Sequence, residues 1–286
     1  MKEYRLTDWL PTTKKEVELR GWDELDVILF SGDAYVDHPS FGAAVIGRIL
    51  EAEGLRVAIV PQPNWRDDLR DFRKLGRPRL FFGISAGCMD SMVNKYTANK
   101  RLRSDDAYTP DGRPDMRPEY PSIVYTQILK KLYPDVPVVL GGIEASMRRL
   151  SHYDYWQDRL KKSILCESGA DMLIYGMGEK PICELVRRLT ALCDNQDGVI
   201  SSSDIHSPAL SSIPQTAYLT RKYESDENDI TLYSHEECLA DKKKQATNFR
   251  HIEEESNKYA AARIVQAVDG KAVVVIPPCP TMTEKA

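Results

Sequence analysis

The chain has 286 residues, of which 42% are hydrophobic and 29% are charged, so it is long enough to bury a sizeable core. Its 39 basic and 43 acidic residues give a net charge of −4, which excludes a global field that would attract nucleic acid or an anionic membrane. The sequence has neither a signal-peptide core nor an apolar run of about 18 residues, so we expect a cytoplasmic protein without a membrane partner.

Five short apolar runs, each ending in Gly, Ser, Asp or Pro, predict buried parallel strands because both of their faces are apolar. They cover residues 26–31, 56–61, 79–85, 136–141 and 171–176. Helical patterns occur over residues 40–53, 65–75, 121–132, 145–165 and 181–192. This alternation predicts an α/β fold with a doubly wound, mostly parallel five-stranded sheet of the Rossmann-like or flavodoxin-like type.

The sequence divides into two regions that differ in composition and hydrophobic pattern. Residues 1–193 predict the Rossmann-like domain, with a long loop over residues 94–121 that lacks periodicity. Residues 194–286 predict a C-terminal polar and helical extension, made of a polar loop, a charged helix over about 234–268 and a terminal linker.

In a doubly wound sheet, ligands bind beyond the carboxyl ends of the strands, where the strand order reverses. If the order is 2-1-3-4-5, loops 31–42 and 85–90 border this crevice, and loops 141–144 and 176–179 lie nearby. The sequence therefore predicts a binding rim on which four loops converge.

The first of these loops offers Asp33, Asp37 and His38. One interpretation is that Asp37 or His38 touches a ligand or another domain. The other is that both aspartates cap backbone amides while His38 packs against its neighbours. A second polar candidate, Cys88, follows the third strand, where a helix N-terminus could lower its pKa and make it a nucleophile.

The strand-to-helix junction after the fourth strand carries Gly141, Gly142 and Glu144, whose glycines allow a ligand to approach the backbone. Glu144 could serve a ligand, or it could simply complement the helix dipole. Arg148, Arg149, His152 and Asp154 follow at spacings that would place them on one helical face. That face predicts either an interface with another domain or a solvated salt-bridge surface.

The loop after the fifth strand carries Gly176, Gly178 and Glu179. Its two glycines match the start of a dinucleotide fingerprint, but Pro181 replaces the third glycine and the motif does not follow the first strand. Nicotinamide binding is therefore not expected, and turn geometry with helix capping is sufficient to account for the motif.

Residues 32–42, 140–156 and 171–179 resemble the N-terminal part of the YgiQ family of radical SAM proteins. The resemblance implies a 4Fe-4S cluster and S-adenosylmethionine in the full-length protein, the cluster being held by a Cys-x3-Cys-x2-Cys motif. The six cysteines of this chain do not have that spacing, and we expect most of them to be buried free thiols. They are Cys88, Cys166, Cys183, Cys193, Cys238 and Cys279. We therefore expect no catalytic residue, metal ligand or cofactor in this chain, and a catalytic domain supplied in cis or as a separate chain.

The region also resembles cobalamin-binding domains, which use an Asp-x-His-x-x-Gly motif to ligate cobalt. Here Val36 takes the place of the aspartate and the spacing from His38 to Gly42 is one residue too long, so cobalamin is not expected. The leading hypothesis is a scaffolding or substrate-positioning N-terminal domain of a YgiQ-type radical SAM enzyme with an unknown small-molecule substrate. The alternative is a stand-alone Rossmann-like module that binds a small molecule or a nucleotide.

Overall fold

The computed structural model describes residues 5–194 and 198–279. Its strands are β1 (Leu25–Ser31), β2 (Val57–Pro61), β3 (Pro78–Ser85), β4 (Val138–Gly141), β5 (His152–Asp154), β6 (Arg159–Lys161), β7 (Met172–Ile174), β8 (Thr216–Thr220), β9 (Ile230–Leu232), β10 (Ile264–Val268) and β11 (Lys271–Val275). Its helices are α1 (Lys14–Leu19), α2 (Gly42–Ala52), α3 (Arg70–Arg73), α4 (Ser91–Lys95), α5 (Pro121–Leu132), α6 (Gly142–Met147), α7 (Ile164–Ser168), α8 (Glu179–Asp194), α9 (Ser202–Ile205), α10 (His235–Ala240) and α11 (Lys242–Ser256).

The first half of the sheet is parallel and has the order β2-β1-β3-β4-β7. All seven residues of β1 are buried, as the apolar runs predicted for a strand covered on both faces. Helices α2 and α8 pack on one face through Leu50 and Leu185, and α5 and α7 pack on the other through Leu129 and Ile164. The predicted α/β class is therefore confirmed, and the parallel strands have the order 2-1-3-4-5 on which the predicted crevice depended.

The prediction of five strands is wrong in number, because the sheet continues as β8-β11-β10-β9. Strand β8 pairs antiparallel with β7, and β11 pairs antiparallel with both β8 and β10. The predicted charged helix over 234–268 is wrong in its last part, since α11 ends at Ser256 and β10 follows. The division of the chain at residue 193 stays a prediction, and the sheet runs across it.

The predicted helix over 145–165 is also wrong. Helix α6 ends at Met147, and an antiparallel hairpin of β5 and β6 separates it from α7. Of the helix predicted over 65–75, only the four residues of α3 are helical. Within residues 5–194 and 198–279, none of the helices combines the length and the apolar composition that crossing a lipid bilayer requires.

The predicted long loop is held against the sheet by one buried arginine. Arg117 is 1% exposed, and its guanidinium lies 2.9 Å from the Asp33 carboxylate and 2.9 Å from that of Asp106. It also donates to the carbonyl oxygen of Ala86 at 3.1 Å. Because a buried arginine is stable only when its charge is compensated, this triad fixes the loop beside the carboxyl ends of β1 and β3.

Candidate functional site

An apolar cleft of about 290 Å³ lies at the carboxyl ends of β1, β3, β4 and β7. Val45 and Ile46 of α2 and Ile182 of α8 form its walls. Five of the predicted site residues line it together: Gly141, Gly142, Gly176, Gly178 and Glu179. The cleft is thus at the strand-order reversal where the sequence predicted a rim.

Two of the cleft glycines are required by their backbone. Gly142 has φ +82° and Gly176 has φ +67°, a left-handed region that side chains other than glycine rarely adopt. A Cβ on Gly142 would also lie 2.7 Å from Ser85 Oγ. The chain therefore turns sharply at both strand ends, and its backbone forms part of the cleft surface.

The predicted residues of the first loop lie outside the cleft lining. Asp33 is buried, and its carboxylate accepts from the backbone N–H of Cys88 at 2.6 Å in addition to contacting Arg117. Asp37 pairs with Arg48, whose Nε lies 3.2 Å from its carboxylate, and not with His38. The Nδ1 atom of His38 accepts from the backbone N–H of Ser40 at 3.1 Å. Each polar group of this loop thus has a local structural partner.

Cys88 is not an activated thiol. Burial, together with the nearby Asp33 carboxylate, raises the pKa of Cys88 to about 11. Its Sγ donates to the carbonyl oxygen of Ser40 at 3.2 Å. The predicted lowering of its pKa by a helix N-terminus is wrong, because α4 begins only at Ser91 and a carboxylate is closer.

A second concavity, of about 780 Å³, lies between residues 147–156 and helix α11; we call it the groove. It contains the predicted residues Arg148, Arg149, His152 and Asp154, but not on one helical face as predicted, since His152 and Asp154 belong to β5. Side chains that are exposed and apolar surround it: Val93, Met147, Tyr153, Tyr155 and Phe249.

Beneath the groove is a buried polar cluster. Glu144 is fully buried, accepts from the backbone N–H of Ser122 at 3.1 Å and pairs with the hydroxyl of Ser91. Burial raises the pKa of Glu144, and the guanidinium of Arg148 opposes that rise. Arg148 itself forms an ion pair with Asp90. Glu144 therefore ties α6 to α4 and α5 and does not reach the rim.

Two predicted residues of β5 differ in their environment. Burial lowers the pKa of His152 to about 4, and its Nε2 has no hydrogen-bond partner among the described residues. Asp154 accepts from the Tyr120 hydroxyl at 2.6 Å and the Gln157 N–H at 2.8 Å. Burial opposes ionisation of Asp154, but these hydrogen bonds lower its pKa.

Arg149 differs from Arg148 in forming no ion pair within 4 Å in the described part of the chain, although the carboxylate of Glu253 is near enough to favour its charged form. Its Nη1 donates to the carbonyl oxygen of Ser146 at 2.7 Å, and its guanidinium stacks over the Tyr175 ring at 4.8 Å. Burial lowers the pKa of Arg149. A partly buried arginine without an ion pair offers its charge to an incoming acidic group.

The last described residues run beside the cleft. Gln215 donates its backbone N–H to Pro277 at 2.8 Å and accepts from the Cys279 N–H at 3.3 Å. Its Nε2 also donates to the carbonyl oxygen of Tyr175 at 2.7 Å. Gln215 therefore fastens residues 276–279 to the loop that follows β7, at the carboxyl edge of the parallel strands.

The described residues do not fit an iron–sulfur cluster. No three His, Cys, Asp or Glu side chains in residues 5–194 and 198–279 lie close enough together to hold a metal ion. All six cysteines are free thiols in this structure. The expectation that this chain binds no cofactor stays a prediction.

Sequence reasoning missed the side chains that give the cleft its walls. Ile46 and Ile182 belong to apolar helical stripes, which signal burial but not proximity to a ligand. Gln215 was missed because nothing in a polar loop marks one amide for a tertiary contact. Arg117 was missed because it lies in a stretch rich in charged residues, where no local pattern distinguishes one arginine from the others.

A sequence model of the family described as "Radical SAM N-terminal" matches residues 9–286. A UPF0313 protein of Bacteroides thetaiotaomicron is 79% identical over 100% of this chain, which covers 46% of that protein. UPF0313 protein GSU2873 of Geobacter sulfurreducens is 45% identical over 96% of this chain and 44% of its own length. UPF0313 protein YgiQ of Escherichia coli is 56% identical over 63% of this chain and 24% of its own length.

Among solved structures, the radical S-adenosylmethionine methyltransferase TsrM of Kitasatospora setae is similar over 67% of this chain and 28% of its own, with 20% identity and a TM-score of 0.41. The chain spans less than half the length of the curated relatives described above. It belongs to the radical SAM N-terminal family of UPF0313 (YgiQ) proteins.

Proposed function

We propose that this chain is the scaffolding and substrate-positioning domain of a longer, cytoplasmic radical SAM enzyme. The catalytic region of that enzyme, in cis, carries the 4Fe-4S cluster and binds S-adenosylmethionine, and the substrate is a small molecule. Neither nucleic acid nor a membrane is a partner in this proposal, in keeping with the net charge of −4.

The observation that carries the proposal is the position of residues 276–279. Gln215 holds them at the carboxyl edge of the parallel strands, beside the cleft. The described chain therefore reaches this rim at Cys279, and in this proposal the catalytic region follows in the sequence. The groove adds an unpaired Arg149 and exposed aromatic rings, which are the residue types enriched at protein interfaces.

We define the docking surface as Met147, Arg149, Tyr153, Tyr155 and Phe249. Four of these side chains are large, apolar and at least half exposed, which is costly for an isolated surface. A packed catalytic region would remove them from water and could place a carboxylate against Arg149.

Hydrogen–deuterium exchange tests this arrangement by comparing the 286-residue chain with a protein that continues into the catalytic region. We expect residues 147–156 and α11 to exchange more slowly in the longer protein, while α1 exchanges equally in both. Equal exchange of the groove in the two proteins would contradict the proposal.

A matched pair of substitutions sharpens the test. Phe249→Asp lies on the docking surface, and Leu239→Asp lies outside the groove on α10; the two side chains are 60% and 59% exposed. In the longer protein, Phe249→Asp should release the protection and lower the reductive cleavage of S-adenosylmethionine, whereas Leu239→Asp should change neither. The same response to both substitutions would contradict a specific interface.

A further inference from the structure

We infer that the cleft between α2 and α8 binds a small, largely apolar ring compound that carries a positive charge or a hydrogen-bond donor at one end. The inference concerns binding by this chain alone, so it is independent of how the catalytic region docks. Its support comes from the lining, the glycines and the single charge of the cleft.

The cleft has the size and surface of a small-ligand site. Its volume of about 290 Å³ is at the lower limit of the pockets that hold small molecules. Apolar side chains of both helices and of the strand ends form the walls, among them Val45, Ile46, Ile84 and Ile182. Such a surface favours a ring system over a flexible polar chain.

Two glycines of the cleft lining have no local need for glycine. Neither Gly42 nor Gly178 has a positive φ. A Cβ on Gly42 would meet nothing within 4 Å, and one on Gly178 would make ordinary contacts of 3.4 Å with Ile46 and 3.6 Å with Ile174. Side chains would therefore be tolerated at both positions, and one on Gly178 would lie against two residues of the cleft lining.

One charged side chain lines the cleft, and it is acidic. Glu179 forms no ion pair with any described residue, and no basic residue is part of the lining. The first turn of α8 offers a positive dipole end, but the carboxylate of Glu179 already occupies that end. The charge thus favours an ammonium or an N–H donor and disfavours a phosphate, which argues against a nucleotide.

Among the described residues, the stretch that follows β11 passes beside the cleft and not into it. Residues 276–279 contact Gln215, Tyr175 and Thr216, and none of them lines the cleft. A downstream segment that plugs the cleft is the competing occupant, and it is distinguished by measuring binding in two lengths of the protein.

Three naphthalene probes test the inference because they share one ring system and differ in charge. They are 1-naphthylmethylamine, 1-naphthylmethanol and 1-naphthylacetate. Saturation-transfer NMR measures their binding to the 286-residue chain and to a protein that includes the catalytic region. We expect saturable binding in the order amine, alcohol, acetate, with the amine bound about tenfold more tightly than the acetate.

Gly178→Phe fills the cleft and should weaken amine binding by about tenfold or more. Leu239→Phe adds the same ring on an exposed part of α10 and should leave binding unchanged. Glu179→Gln should remove the preference for the amine over the acetate, whereas Glu184→Gln, on the same helix but outside the cleft lining, should preserve it.

Three outcomes would overturn the inference. The first is binding of the amine that Gly178→Phe and Gly42→Phe leave unchanged in folded protein. The second is a preference for the acetate, or for a nucleotide, over the amine. The third is binding to the 286-residue chain that disappears in the longer protein, since this identifies a downstream segment as the occupant.

Discussion

The cleft and the groove both border the segment that follows β4, but different kinds of residue form them. Backbone and aliphatic side chains form the cleft, with Glu179 as its one charge. Side chains that are charged or aromatic form the groove, among them Arg149, His152 and Tyr155. A site formed by backbone selects by shape, whereas a surface formed by long side chains selects by charge and by aromatic contact.

The two concavities also rest on different buried charges. The Asp33–Arg117–Asp106 triad supports the loop beside the cleft, and the Asp90–Arg148 pair supports the groove. In both, burial makes each ion depend on its partner, so single substitutions should separate the two regions experimentally.

The largest effect is expected from Arg117→Ala. This substitution leaves the buried carboxylates of Asp33 and Asp106 without their cation, and we expect a loss of about 3–5 kcal/mol in the free energy of unfolding. Urea denaturation of the 286-residue chain measures it. The exposed Arg113, altered to alanine, serves as the control and should leave the unfolding midpoint in place. A loss below about 1 kcal/mol for Arg117→Ala would show that the triad does not hold the loop.

His152→Phe should alter the dependence of stability on pH at the groove. Burial favours the neutral form of His152. The stability that the protein gains from this neutral side chain is therefore complete above the ordinary histidine pKa of 6.5 and is lost as the pH falls through about 4. The lost contribution amounts to about 3 kcal/mol at most. Stability of the wild type should therefore decline more steeply than that of the variant between pH 6.5 and 4.

Denaturation midpoints at several pH values measure this difference. His206→Gln, at a side chain that is 43% exposed, is the control and should keep the slope of the wild type. Parallel curves for the wild type and His152→Phe would contradict the buried neutral histidine.

Two glycines of the cleft should respond differently to alanine. A Cβ on Gly83 would lie 2.6 Å from Leu29 Cδ2, so Gly83→Ala should cost about 1–3 kcal/mol through overpacking. Gly178→Ala should be neutral or slightly stabilising, because its Cβ would meet only ordinary contacts. Thermal unfolding of both variants measures the difference. An equal loss of stability at both positions would show that a Cβ on Gly178 is not accommodated.

The smallest effect on stability is expected from Phe249→Asp in the 286-residue chain. The side chain is 60% exposed, so its removal from the surface should leave the unfolding midpoint unchanged, as for Leu239→Asp. A clear destabilisation by Phe249→Asp alone would mean that the ring packs on this domain, and the surface would no longer be free for a partner.

Much of the parallel half of the sheet could be predicted because each strand is specified locally. An apolar run of six or seven residues that ends in Gly, Ser or Pro is sufficient to identify a strand buried on both faces. The run predicted at 26–31 is β1, and the one predicted at 79–85 is β3 to within a residue. Gly141 and Gly176 of the cleft were found for the same reason, since each ends one of these runs.

The antiparallel half was missed although its sequence carried a signal. Asp269 and Gly270 both have positive φ and join β10 to β11, which is the turn that an Asp-Gly pair between apolar runs predicts. The charged pattern of α11 was extended over this hairpin. In residues 145–165, helical spacing was equally misleading, because β5 pairs with β6 and Asp154 bonds to Tyr120, the residue that precedes α5.

By itself, the sequence determined where the parallel strands run along the chain and which glycines follow them, because these depend on neighbours along the chain. The order of the strands in the sheet came from the tertiary structure. Only the tertiary structure decided which predicted residues form a site. Glu144, Asp33 and Arg148 had the composition of a binding edge, yet each is paired with a buried residue more than 50 positions away in the sequence. Burial decides this outcome, because a polar group in the interior must first satisfy its own hydrogen bonds and charge before it is available to a ligand.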